Sequence, residues 1–147
     1  NPAIRLHYRD QILPAICAEG DCQNYGSSAV CDVACLQALS KRIHYGKFIA
    51  EAKFQSDVPL YTRLIGERDS EGILAALTDA SVEARLLRRV ELKGATYGQD
   101  PEEPPPPAGA PKRYKIPPTV ITAIYRDWII PMTKEVEIIY LLDRLKD

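Results

Sequence analysis

Between Asp100 and Pro118 the chain carries Pro101, the run Pro104 to Pro107, Pro111 and the pair Pro117-Pro118, with few apolar residues among them. Proline locks φ and cannot donate a backbone hydrogen bond, so this stretch is neither a helix nor an inner strand. It reads as an extended, exposed surface loop over 99–117. A proline-rich run can also serve as an SH3 or WW ligand, but a variable loop is the plainer reading. The loop divides the chain into two parts, both with apolar residues at helical spacing and almost no alternation of period two. The expected fold class is therefore all-α, a helical bundle with two long helices and several short ones.

The spacing places the first helix over about Pro2 to Glu19, with Pro14 inside it as a bend. Gly20 to Ser28 reads as a turn-rich loop, with glycine at both ends of its core. A long helix follows, with Asp32 at or near its start, and runs to about Phe54. Pro59 to Gly66 and Ser70 to Leu77 read as shorter helices, the second capped by Asp69. Asp79 caps the next, which carries Val82, Leu86, Leu87, Val90 and Tyr97 and stops near Gly98. The last helix spans about Pro118 to Asp147, kinked at Pro131, with Arg144 and Lys146 near its negative end.

A length of 147 residues fits one domain, and 46% hydrophobic with 27% charged residues is an ordinary globular composition. The formal net charge of −1 gives no global electrostatic attraction to nucleic acid or to an anionic membrane. No apolar run reaches the roughly 20 residues that span a bilayer. The start, Asn1-Pro2-Ala3-Ile4-Arg5, is neither an initiator methionine nor a secretory signal, which suggests that sequence upstream has been lost. Cys17, Cys22, Cys31 and Cys35 read as free buried thiols rather than metal ligands or disulfides. With only His7 and His44 as histidines, zinc-type spacing is missing. Free thiols point weakly to a reducing, cytoplasmic location.

The long second helix holds the first chemical signal. Arg42 and Lys53 are eleven residues apart, three turns plus about 20°, so both lie on one face about 16 Å apart along the axis. Gly46 and Ile49 lie between them, and Cys31, Cys35 and Leu39 continue the stripe towards the N-terminus. Two cations in line with core-type residues read as buried charges that need anionic partners. The final helix offers a complement in Thr133 and Glu137, four apart on one face. Glu83 stands near the positive end of its helix, beside Val82 and Leu86. Each also has a plain structural role: Glu83 as a dipole-complementing carboxylate, Thr133 beside Pro131, and Glu137 as a partner of Lys134 or Lys53.

The segment from Cys31 through Arg42, Gly46 and Lys53 to Phe54 resembles the central helix of eukaryotic (fungal and plant) chorismate mutases. Ile130-Pro131-Met132-Thr133-Lys134-Glu135-Val136-Glu137, with Tyr140 to Leu145, is similar to that family's closing helix. Asn24-Tyr25-Gly26-Ser27 resembles its regulatory loop, and the likeness extends from about Tyr8 to Asp147, interrupted at the proline loop. Phe54-Gln55-Ser56-Asp57 and Pro59-Leu60-Tyr61-Thr62 lean towards the fungal branch.

The resemblance implies the C-terminal catalytic part of a single domain whose N-terminal half is absent. It implies an isomerase that converts chorismate to prephenate by an intramolecular Claisen rearrangement, with no metal and no cofactor. Arg42 would bind a substrate carboxylate, and Lys53 would donate to the ether oxygen whose bond breaks. Glu137, protonated, would donate to the same oxygen, favouring mildly acid pH. Thr133 would help hold a carboxylate, and Glu83 the ring hydroxyl. Asp79 would be a third substrate-binding residue, at a position where the family site uses asparagine, and Val30 stands where its strongly regulated yeast-type members have threonine. Asn24, Gly26 and Ser27 would belong to a site for tyrosine and tryptophan as effectors. A second substrate-binding arginine and two effector-reading arginines would lie in the absent half. The family implies a homodimer once that half is present. The alternative is a non-catalytic helical module that binds an aromatic metabolite or a protein partner, because an incomplete bundle would expose Leu36, Leu39 and Ile49. A secreted mutase is a third possibility, without a signal sequence to support it.

Overall fold

The computed structural model describes residues 2–99 and 112–146, and among them every regular element is helical. Helix α1 begins as Pro2–His7, passes through a π-helical turn, Tyr8–Ile12, and ends as Leu13–Ile16. Then come α2 (Tyr25–His44), α3 (Gly46–Ser56), α4 (Val58–Gly66), α5 (Ser70–Leu77) and α6 (Ala80–Tyr97). Helix α7 starts as Pro118–Ile124, passes through a second π-helical turn, Tyr125–Ile129, and continues as Ile130–Asp143. Most of the expected proline loop, residues 100–111, lies outside the described residues. Within the described part, Pro117 precedes α7 and Pro118 opens it, where a missing N–H costs nothing. No described helix is long and apolar enough to cross a membrane.

The expected helices are present, and the expected caps with them. Asp69 accepts from the Gly72 N–H at 2.9 Å, and Asp79 from the Ser81 and Val82 N–H groups at 2.9 and 3.1 Å. Asp57 caps α4 in the same way through the Leu60 N–H. The first helix ends at Ile16, short of Glu19, and the last at Asp143, before Arg144 and Lys146. Two further expectations change. The second long helix starts at Tyr25, seven residues before Asp32, because Ser28 N–H already donates to the Asn24 carbonyl at 3.0 Å. The turn-rich loop is correspondingly shorter, and Asp21 closes it by accepting from Gln23 N–H and Tyr25 O–H. The helical path also passes through Tyr45 (φ −59°, ψ −18°), so α2 and α3 follow one another with a single-residue interruption.

Both internal prolines are absorbed the same way. Leu13 N–H donates to the Tyr8 carbonyl and Ile130 N–H to the Tyr125 carbonyl, a five-residue closure immediately before Pro14 and Pro131. A π turn accommodates the donor that proline lacks without ending the helix.

Helix α7 is the spine. Its second half joins one core with Ala50, Phe54, Tyr61, Ile73 and Leu141, shared by α3, α4 and α5. Its middle joins another with Ile4, Ile43, Ile129 and Met132, shared by α1 and α2. Ile43, Ile73 and Leu141 are almost fully buried, each contributing about 1.5–3 kcal/mol of transfer free energy. The four cysteines are exposed free thiols, not buried ones. Most of α2 before Leu36 has no described neighbour to cover it. Val82, expected in the core, is likewise 46% exposed, because α6 packs through Val90 and half-buried Leu86 and Leu87 instead.

A polar clamp joins α3 to α7. Glu51 accepts from Tyr140 O–H (2.7 Å), Arg144 Nε (2.9 Å) and Gln55 Nε2 (2.8 Å), and the Arg144 guanidinium lies 4.9 Å over the Phe54 ring. Hydrogen bonding by Arg144, then by Gln55 and Tyr140, lowers the Glu51 carboxyl from 4.5 to about 2. A depressed folded-state value adds stability above the unfolded value, and that stability is lost as pH falls through the folded one. Glu51→Gln should therefore melt below the parent at neutral pH, with the gap closing as pH drops from about 4.5 to about 2. Thermal melts across that range decide it, and a gap of constant size would contradict the clamp.

Candidate active site

The site is built where α3 crosses α7. A Cβ added at Gly46 would stand 2.9 Å from the Thr133 carbonyl oxygen, 3.0 Å from Thr133 Cγ2 and 3.1 Å from Glu137 Cγ. Only glycine allows so close an approach, and it is what brings the Arg42–Lys53 stripe against Thr133 and Glu137. Thr133 and Glu137 are the two buried polar residues of the described chain, 6% and 5% exposed. The Thr133 hydroxyl donates to the Ile129 carbonyl at 2.6 Å, in the π turn, which fixes its rotamer.

Arg42 ends α2 and Lys53 ends α3, each in a last turn where the helix dipole favours a cation. Both are half-buried rather than fully buried. With Tyr45, Phe48, Ile49, Ala52 and Ser56 they line an open groove of about 730 Å³. The Arg42 guanidinium also lies 6.0 Å from the Tyr125 ring centre. Glu137 and Thr133 are not on this groove's open wall, but charge links Glu137 to both of its cations.

Burial raises the Glu137 carboxyl from 4.5 to about 7, against the pull of Lys134, Arg42 and Lys53 and with a smaller push from Glu83. Desolvation outweighs three nearby cations, so a large share of this carboxyl is neutral at neutral pH and can donate a hydrogen bond. Asp79 is held below its usual range, chiefly by the Ser81 hydroxyl and the Val82 N–H, with Lys53 adding to the effect. Glu83, in the first turn of α6, forms an ion pair with Lys134 at 2.6 Å.

Arg42, Lys53, Asp79, Glu83, Thr133 and Glu137 thus form one neighbourhood drawn from four helices. Asn24, Gly26 and Ser27 do not join it. They lie exposed at the start of α2, about 24 Å from Arg42 at 1.5 Å per residue. Lys134 is the member that the sequence did not single out as a site residue. Its signal was the i, i+3 relation to Glu137. Its partner is Glu83, not Glu137. No group of three or more His, Cys, Asp or Glu residues suited to a metal occurs among the described residues.

An all-helical scaffold that sets two cations on one groove, with a buried carboxyl behind them, has the chemistry to receive a small, anionic, hydrogen-bonding molecule. The profile of the chorismate mutase type II family matches residues 24–138, and the chain belongs to that family. The chain is 49% identical over 138 residues to chloroplastic chorismate mutase 1 of Petunia hybrida, covering 94% of itself and 43% of that protein. The crystal structure of Aro7p chorismate mutase from Candida albicans, in complex with L-Trp, superposes with a TM-score of 0.88 at 47% identity. That match covers 99% of this chain and 53% of the other. The crystal structure of AtCM1 with tyrosine bound in its allosteric site superposes with a TM-score of 0.85 at 45% identity, over 98% and 55%. The chain spans about half the length of the curated relatives it matches.

The α3–α7 approach yields a test of the scaffold. Gly46→Ala gains about 0.5–1 kcal/mol of helix propensity but must displace a backbone oxygen, an overpacking cost of about 1–3 kcal/mol. Urea unfolding should show a net loss of about 1–2 kcal/mol. An unchanged or raised midpoint would mean that the two helices do not meet as described.

Proposed function

We propose that this chain carries the catalytic part of a chorismate mutase, which rearranges chorismate to prephenate. The observation that carries the proposal is the buried Glu137 carboxyl, raised to about 7 by burial although Lys53 and Arg42 pull it down. Family membership supplies the substrate class. The reaction is unimolecular: the ether C–O bond breaks while a C–C bond forms, and no nucleophile is required. The protein must hold a flexible dianion in its reactive chair-like form and stabilise the charge that grows on the ether oxygen.

In this proposal Arg42 grips a carboxylate with its planar fork, and Thr133 helps to hold one. Lys53 and protonated Glu137 donate to the ether oxygen, Glu83 takes the ring hydroxyl, and Asp79 caps α6 beside Lys53. A bound dianion offsets the cations that pull Glu137 down, so substrate binding keeps its proton on. Tyrosine and tryptophan are the proposed effectors, at Asn24, Gly26 and Ser27, by analogy with the ligands of the two solved relatives. A homodimer and a cytoplasmic location complete the reading. A second reading, a helical module that binds an aromatic metabolite or a partner without turnover, is favoured by Phe48 and Tyr45, 71% and 50% exposed at the groove.

Prephenate formation from chorismate, followed at several pH values in the protein that carries this chain, separates the two. kcat/KM should decline as pH rises through about 7, where Glu137 of the free protein loses its proton. Glu137→Gln, which donates at every pH, should lose that decline. Arg42→Ala should lose about 10²–10³-fold in kcat/KM, the scale of one preorganised charge contact. A folded protein that never forms prephenate would leave the binding module standing.

A further inference from the structure

Lys134 is the one cation of the site to which neither the fold nor the proposed chemistry has yet given a task. It stands between Thr133 and Glu135 on α7, and its side chain is only 20% exposed. Its ammonium lies 2.6 Å from Glu83 Oε1, so it bridges α7 to the first turn of α6. A surface pair of that length would be worth little, but both side chains here are mostly covered, 20% and 31% exposed. Lys134 is also three residues from Glu137, a separation that puts two side chains side by side on a helix.

We propose that Lys134 is a positioning residue of this site. It fixes the Glu83 carboxylate through the α6–α7 ion pair and keeps a permanent positive charge beside Glu137. The proposal rests on the chorismate mutase reading above and deepens it. Without the pair, Glu83 is free to swing within the first turn of α6, and a hydrogen bond offered to a substrate hydroxyl must then be ordered at the moment of binding. Without the charge, Glu137 keeps Arg42 from α2 and Lys53 from α3 as attracting cations and Glu83 from α6 as a repelling anion. It also faces the Tyr61 hydroxyl of α4, which feels the Glu137 charge. Lys134 is the largest of the charge influences on Glu137, ahead of Arg42 and Lys53. Its position therefore sets the pH at which the carboxyl stops donating.

The decisive experiment compares Lys134→Met and Lys134→Arg in the protein that carries this chain, with two readouts. The first is the pH profile of kcat and of KM for chorismate. Lys134→Met should move the alkaline decline up by about half to one pH unit and raise KM roughly tenfold, the worth of one ordered hydrogen bond to a charged group. Lys134→Arg, which keeps charge and pair, should restore most of both. The second is the titration of the Glu137 carboxyl by carbon NMR in labelled protein, which needs no turnover. It should move up with Lys134→Met and not with Lys134→Arg. Loss of wild-type turnover with the NMR shift intact would strike the reaction assignment and leave the charge role of Lys134 in place. A folded Lys134→Met protein whose decline, KM and carboxyl titration all match the parent would overturn the proposal. So would a Lys134→Arg protein as impaired as Lys134→Met.

Discussion

The contact on which the rest depends is the seating of the α3 backbone at Gly46 against the Thr133 carbonyl of α7. Helices that cross through ordinary side chains keep their axes 8–10 Å apart and fill the space between with apolar groups. Removing a single Cβ lets the two backbones close, and little room is left at the crossing. Whatever carboxyl lies there is desolvated, and Glu137 lies there. The same approach fixes the phase of α3 and, through helical Tyr45, of the end of α2, so that Arg42, one turn before the glycine, and Lys53, two turns after it, both turn to the groove. One missing methyl group therefore sets the burial of the acid and the direction of the bases.

Two carboxylates on this helix pair show how far environment outweighs residue type. Glu51 and Glu137 both start from a value of 4.5. Glu51, near water, accepts hydrogen bonds from Tyr140, Arg144 and Gln55 and drops to about 2. Glu137 has three cations nearby yet rises to about 7, because burial penalises its charge more than they reward it. The division is mechanical as well as electrical. The ionised residue clamps α3 to α7, and the other keeps a proton to offer up to about pH 7. Sites that do acid chemistry near neutrality use this kind of separation between titrating groups.

The sequence was legible wherever a local rule decided. Asp69 and Asp79 are followed by helical periods, and both are caps. The eleven-residue interval between Arg42 and Lys53 survived the Tyr45 interruption, because that residue stays in helical geometry. What failed depended on neighbours. Apolar spacing made Val82 a core residue, but nothing in α6 alone says which of its stripes meets α7. The cysteines were read as buried from their type, and they are exposed because most of the first half of α2 lies uncovered among the described residues. Lys134 was noticed only as a candidate partner for Glu137. Its pairing with Glu83 depends on how α6 docks, which no spacing within α7 contains.

One local signal went unread, and it bears on the site. Tyr8-Arg9-Asp10-Gln11-Ile12-Leu13-Pro14 and Tyr125-Arg126-Asp127-Trp128-Ile129-Ile130-Pro131 share tyrosine, arginine, aspartate, isoleucine and proline at the same offsets. In both, arginine forks onto the next aspartate, isoleucine is buried, and a π turn precedes the proline. A turn that closes on the fifth residue inserts one residue into the helix, rotating all that follows by roughly 100° relative to what precedes it. In α7 the part before the insertion packs on α6, near Gly94, and the part after it carries Thr133 and Glu137 to Gly46. A straight α-helix with the first contact kept would turn the second pair away from α3. Pro131 therefore does more than interrupt a ladder of hydrogen bonds. By requiring the extra residue, it lets one helix satisfy two differently oriented partners and puts Glu137 at the crossing.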